Sequence, residues 1–118
     1  EARDRYWVEL WDRFDPHTDW SGLEQERVAR WYKQLHIFLY PFYYIEYGIA
    51  QLGALQVWRN SLTDHERAVT DYQRALALGG TEPLPELFAA AGARLIWDAQ
   101  GMGELVDLIE REIERLEV

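Results

Sequence analysis

Leu35-His36-Ile37-Phe38-Leu39-Tyr40-Pro41-Phe42-Tyr43-Tyr44-Ile45-Glu46-Tyr47-Gly48-Ile49-Ala50-Gln51-Leu52-Gly53-Ala54-Leu55-Gln56-Val57-Trp58 is the stretch that decides the fold. From Phe42 to Asn60 it is apolar nearly all round, the pattern of a helix buried on every side. Gly48, Gly53 and Ala54 within it offer neighbours a close approach at a cost in helix propensity of roughly 1 kcal/mol per glycine. The first half of the stretch is chemically unlike a packing helix. His36, Tyr40, Tyr43, Tyr44, Glu46 and Tyr47 crowd together, and each phenol hydroxyl that is buried needs a hydrogen-bond partner. Tyr40, Tyr44 and Tyr47 follow i, i+4, i+7 spacing, which predicts one shared helical face.

Outward from this stretch every segment reads as helix. Residues 3–14 place Trp7, Leu10, Trp11 and Phe14 on one face, and Pro16 ends that helix. Ser21-x-x-Glu24 has the form of a capping box opening a second helix toward Phe38, with Val28, Trp31, Tyr32 and Leu35 as its apolar stripe. Tyr40-Pro41 breaks it, and Pro41 then suits the first turn of the central helix. Thr63-x-x-Glu66 predicts another capped start, for a helix through Val69, Tyr72 and Leu76 to Leu78, with Gly79-Gly80 as its stop. A short helix, Glu86 to Ala91, follows Pro83 and Pro85. Residues 97–101 read as a turn. The last helix, Met102 to Leu116, places Leu105, Leu108, Ile109, Ile113 and Leu116 on one face. Strand alternation is absent. The expectation is an all-α protein of about six helices forming an irregular bundle, with 1–118 as one helical domain. Ala68 to Leu78 has the flavour of a tetratricopeptide repeat, but no second copy stands at a 34-residue period.

Composition narrows the function classes. The 118 residues carry 21 acidic and 12 basic side chains, a net charge of −9. Nucleic acids and anionic membranes both call for a cationic surface, so neither is an expected partner. The chain has no cysteine, which excludes disulfides and thiolate chemistry and fits a reducing compartment such as the cytoplasm. No apolar run reaches membrane-spanning length. The chain begins at Glu1 already in helical pattern, consistent with a trimmed N-terminus or with a piece of a longer protein.

A metal site is not legible. Of the three histidines, His17, His36 and His65, no two are four apart. Asp64-His65-Glu66-Arg67-Ala68-Val69 starts like His-Glu-x-x-His, but Val69 stands where the second imidazole is required. His65-Glu66 reads as the first turn of a capped helix, and His17 as a solvent-facing loop residue. Ser21 and Ser61 have no base placed beside them, so nucleophilic triads are set aside. His36 with its tyrosines is the remaining constellation. Neutral imidazole and phenol both donate hydrogen bonds without ionising, which suits a carbonyl oxygen that becomes an oxyanion. Glu46, in apolar company, is expected either to pair with a base or to face the same cleft. The alternative is a core histidine among aromatic neighbours in a non-catalytic helical interaction module. An aromatic-lined sugar site has only the tryptophans behind it.

His36 followed by Pro41-Phe42-Tyr43-Tyr44-Ile45-Glu46-Tyr47-Gly48-Ile49-Ala50-Gln51 through Trp58 resembles the C-terminal signature of oligoendopeptidase F-like zinc metallopeptidases, relatives of thimet oligopeptidase. The likeness extends to Asp19-Trp20-Ser21-Gly22, to Tyr72 through Thr81, and to Pro83-Leu84-Pro85-Glu86-Leu87-Phe88 with Gly92, nearly the whole chain. The resemblance implies a larger helical peptidase fold cleaving short peptides, with zinc as the cofactor of the parent enzyme. It implies that His36, Tyr44 and Tyr47 are catalytic donors to the substrate carbonyl, with Tyr40 and Tyr43 as substrate-binding candidates. The family's zinc motif is missing here. The implied part is therefore a C-terminal segment, expected to bind no zinc and to be inactive without the N-terminal remainder of the peptidase.

Overall fold

The computed structural model describes residues 1–117. They form seven α-helices and one 3₁₀ turn: α1 (Ala2–Phe14), α2 (Glu24–Ala29), the 3₁₀ turn (Arg30–Lys33), α3 (His36–Leu39), α4 (Ile45–Thr63), α5 (His65–Leu78), α6 (Leu84–Ala90) and α7 (Ala99–Leu116). No strand occurs among the described residues, so the all-α expectation holds. The chain divides into two compact units, residues 1–44 and the part from Ile45 onward.

In the first unit α1 packs on α2, and Trp11 of α1 meets Trp20 of the loop between them. Trp7 lies 5.6 Å from Trp11, and Trp11 meets Trp20 edge-on at 5.9 Å. The Arg30 guanidinium sits over both Trp11 (4.9 Å) and Trp20 (5.3 Å), a double cation–π contact. Trp31 is the buried residue of this unit, and its indole N–H donates to Asp4 Oδ1 at 3.0 Å. An Arg27–Asp12 ion pair ties α2 to α1.

The predicted second helix is not continuous. It becomes α2, the 3₁₀ turn and α3, and Gln34 (φ −83°, ψ 80°) interrupts it. Trp31 and Tyr32 hold helical geometry less well than straight-chain residues, and the tighter 3₁₀ turn carries Trp31 inward. The predicted capping box at Ser21 does not form either. The Ser21 N–H and hydroxyl both donate to Asp19 Oδ1, at 2.9 and 2.7 Å, and Glu24 accepts from the Gly22 N–H at 3.0 Å. Leu23 stands at the N-cap instead. The aspartate two residues earlier captures the serine before it can cap.

In the second unit α4 packs on α5 and on α7, and α5 packs on α6. The helix is central but not enclosed. Gln56 is its one fully buried residue, while Tyr47, Trp58 and Leu62 are exposed. Close approach is realised at Gly53, where a Cβ would lie 2.9 Å from the Phe88 ring; Gly48 faces open space. Gln56 is buried because its amide replaces a strand partner. Its Nε2 donates to the Arg94 carbonyl at 2.8 Å and the Arg94 N–H donates back to Oε1 at 3.0 Å. One turn on, Asn60 Nδ2 donates to the Gly92 carbonyl at 2.8 Å. Together they hold the extended connection between α6 and α7 against α4.

The start of α5 is capped by Asp64, which accepts from the Arg67 N–H at 3.0 Å, while Thr63 is the last residue of α4. The predicted Thr63 box is thus displaced by one residue, and the carboxylate is the stronger acceptor for that N-terminus. Gly79 (φ +56°) ends α5 as expected. Asp98, placed in a turn by its sequence, caps α7 through the Gly101 N–H at 2.7 Å. The apolar face predicted for α7 divides: Leu105 and Leu108 are buried, whereas Ile113 and Leu116 are exposed. Among the described residues no helix is long and apolar enough to cross a membrane.

Candidate functional site

The site residues arise from the way the chain turns at Pro41. Tyr40 has left helical geometry (φ −139°, ψ 74°), as the clash of the following proline with an α conformation requires. The Tyr43 N–H donates to the Tyr40 carbonyl at 3.1 Å, closing a β-turn with Pro41 and Phe42 at its centre. Phe42 has φ +67°, the left-handed region that a turn of this kind normally gives to glycine. It is also 95% exposed, so no contact of its own ring holds it in that conformation. A non-glycine residue so placed costs of order 1 kcal/mol or more, and such outliers gather at functional sites.

The turn sets three rings around one imidazole-bearing segment. His36, at the first position of α3, stacks on Tyr43 with centroids 5.4 Å apart and planes 9° apart. Tyr44 meets the same imidazole edge-on at 5.5 Å. Tyr40 and Tyr43 lie 6.2 Å apart. Of the predicted site, His36, Tyr40, Tyr43 and Tyr44 are therefore brought together within the first unit. Tyr47 belongs to the first turns of α4 in the second unit.

The shared helical face predicted for Tyr40, Tyr44 and Tyr47 is not formed. Tyr40 lies past the end of α3 and Tyr44 precedes α4, so only Tyr47 is helical. The reason is Phe42: a residue at φ +67° cannot belong to a right-handed helix, and α4 starts at Ile45 instead of Phe42. His36 likewise opens a helix, where its sequence position pointed to the last turn of one. The phenols are exposed, Tyr40 at 61%, Tyr44 at 54% and Tyr47 at 51%, and His36 is half-buried. Glu46 is exposed, and no ion pair reaches it among the described residues.

The described residues include no group of three His, Cys, Asp or Glu side chains able to hold a metal ion. The second unit has an apolar hollow of about 560 Å³ lined by Gly53, Ala54, Trp58, Leu76, Leu87 and Phe88 among others. Its lining is apolar apart from Ser61 and Tyr72 and carries no carboxylate, imidazole or cation. Pro41 signalled the break, but the left-handed backbone at Phe42 was not legible in the sequence, because that geometry is normally marked by Gly or Asn. No protein-family model, curated protein or solved structure matches the chain.

Proposed function

We propose that this chain is the C-terminal part of a cytoplasmic zinc oligoendopeptidase, and that it supplies hydrogen-bond donors to the carbonyl of a short peptide substrate. The observation that carries the reading is the cluster of the half-buried His36 with the exposed Tyr43 and Tyr44 at a strained proline turn. An imidazole N–H and phenol O–H groups are neutral donors, and they stabilise a developing oxyanion without having to ionise. In this reading His36, Tyr44 and Tyr47 serve the reacting carbonyl, and Tyr40 and Tyr43 bind the substrate beside it. The zinc ligands lie outside this chain, in the N-terminal remainder of the peptidase, and the isolated segment is inactive.

A helical interaction module, with the aromatic residues as plain core, agrees less well with tyrosines exposed by about half or more, as Tyr40, Tyr44 and Tyr47 are. The reading frame upstream of Glu1 separates the two. A His-Glu-x-x-His helix encoded there supports the peptidase; its absence removes the peptidase reading and leaves the module.

A further inference from the structure

The last helix carries two apolar faces, and the chain uses one of them. Gly101, Leu105 and Leu108 point inward and are buried. Met102, Val106, Ile109, Ile113 and Leu116 follow alternating steps of four and three residues, the spacing of a helix–helix seam. In heptad terms Val106 and Ile113 occupy the a positions, with Met102, Ile109 and Leu116 at d. This second face is open except at the half-buried Ile109: Met102 is 40% exposed, Val106 51%, Ile113 50% and Leu116 73%.

A row of carboxylates borders the seam. Asp107, Glu110 and Glu114 on the helix and Glu117 at its C-cap recur at three, four and three, with Glu110 and Glu117 at the e positions next to it. The neighbouring acids are neutralised inside the chain: Glu112 pairs with Arg115 at 2.8 Å, and Asp98 and Glu104 lie within 4.0 Å of Arg94. Among the described residues no cation forms an ion pair with any of the four in the row. Like charges three and four residues apart destabilise the helix that bears them. Glu110 and Glu117 thus stand without an ion pair directly beside an apolar seam that the chain leaves open.

We propose that this face of α7 docks an amphipathic helix of a partner protein, one with Lys or Arg flanking its own apolar stripe. Charge selects that occupant. A second copy of this chain would set Glu117 against Glu112 in a parallel pair, or Glu110 against Glu117 in an antiparallel one, and both contacts repel. The same carboxylates repel an anionic membrane surface. The inference uses α7 alone and stands apart from the peptidase reading.

The test uses the full 118-residue chain and two labelled synthetic helices of three heptads, alike in their Ile and Leu seam. One carries Lys at the e and g positions and its twin carries Glu. Fluorescence anisotropy is expected to show the Lys helix binding at least about tenfold more tightly than the Glu helix. Ile113→Asp, at an exposed position, is expected to abolish that binding with the far-ultraviolet circular dichroism unchanged. The pair Glu110→Lys and Glu117→Lys is expected to reverse the preference. Equal affinity for the two helices, or no binding of either, overturns the proposal. So does binding that survives Ile113→Asp, which would be attraction to the net charge alone, or self-association of the chain that Ile113→Asp removes.

Discussion

Replacing Gln56 by leucine asks whether one side-chain amide holds the second unit together. Leucine nearly preserves the volume, so the change isolates the hydrogen bonds from the packing. Three bonds are lost, to the Arg94 carbonyl (2.8 Å), from the Arg94 N–H (3.0 Å) and to the Leu52 carbonyl (3.1 Å). The Leu52 carbonyl keeps its place in the helix ladder, so its loss is small. The two Arg94 backbone groups have no substitute within the fold, and Gln56 is only 1% exposed. An orphaned buried backbone group costs about 1–3 kcal/mol, and the Arg94 groups are partly reachable by water, so the expected loss is about 2–4 kcal/mol. Urea unfolding measures the loss, and amide hydrogen exchange at Arg94 reports its site. The variant is expected to unfold at lower urea with an unchanged slope and to lose protection at Arg94 first. A loss below about 0.5 kcal/mol, the level of an ordinary surface substitution, would refute the reasoning.

Phe42→Gly is expected to stabilise the first unit by up to about 1 kcal/mol, because glycine accepts φ +67° and the exposed ring has no packing to lose. Thermal unfolding followed by tryptophan fluorescence reads this, with Trp7, Trp11, Trp20 and Trp31 all in that unit; a lower midpoint contradicts it. Asp64→Ala removes the α5 cap and is expected to cost about 0.5–2 kcal/mol, whereas Thr63→Ala costs little, and urea midpoints of the two variants distinguish them. Hydrogen bonds from the Ser21 hydroxyl and then the Ser21 N–H hold the Asp19 carboxyl below its usual value. Its contribution to stability is therefore present above the unfolded pKa of an aspartate and fades as pH falls through the lower folded value. An Asp19→Asn chain is expected to show a shallower loss of stability on acidification, and an identical acid profile refutes that assignment.

Much of the architecture could be read in advance because it rests on local rules. The half-buried Trp7, Leu10 and Trp11 of the α1 face (though not Phe14, which is exposed), the break before Pro41 and the Gly79 stop each depend on residues a few positions apart. What could not be read depends on competition or on distance. Ser21 and Thr63 fit the capping pattern, but the Ser21 hydroxyl is held by Asp19, and Asp64 accepts the N–H that Thr63 would have taken. Gln56 looks like an isolated polar residue in an apolar helix, since its partner Arg94 lies 38 residues further along the chain. The candidate site divides the same way. Its residue types were legible as neutral donors, but the predicted face assumed a helix that the backbone at Phe42 forbids. The turn places Tyr43 against His36, where the helical register had pointed to a face shared by Tyr40, Tyr44 and Tyr47.

The central claim is that His36 and its tyrosines serve a reacting carbonyl whose metal is held elsewhere in a longer peptidase. Its most direct test is hydrolysis of a fluorogenic short peptide by the protein translated from the complete reading frame, with zinc content measured alongside. His36→Ala and Tyr47→Phe are each expected to lower kcat by about 10²–10³, the loss that follows removal of one oxyanion donor, with zinc content unchanged. Unchanged turnover in both variants, or a fall in turnover that simply tracks lost zinc, would contradict the account.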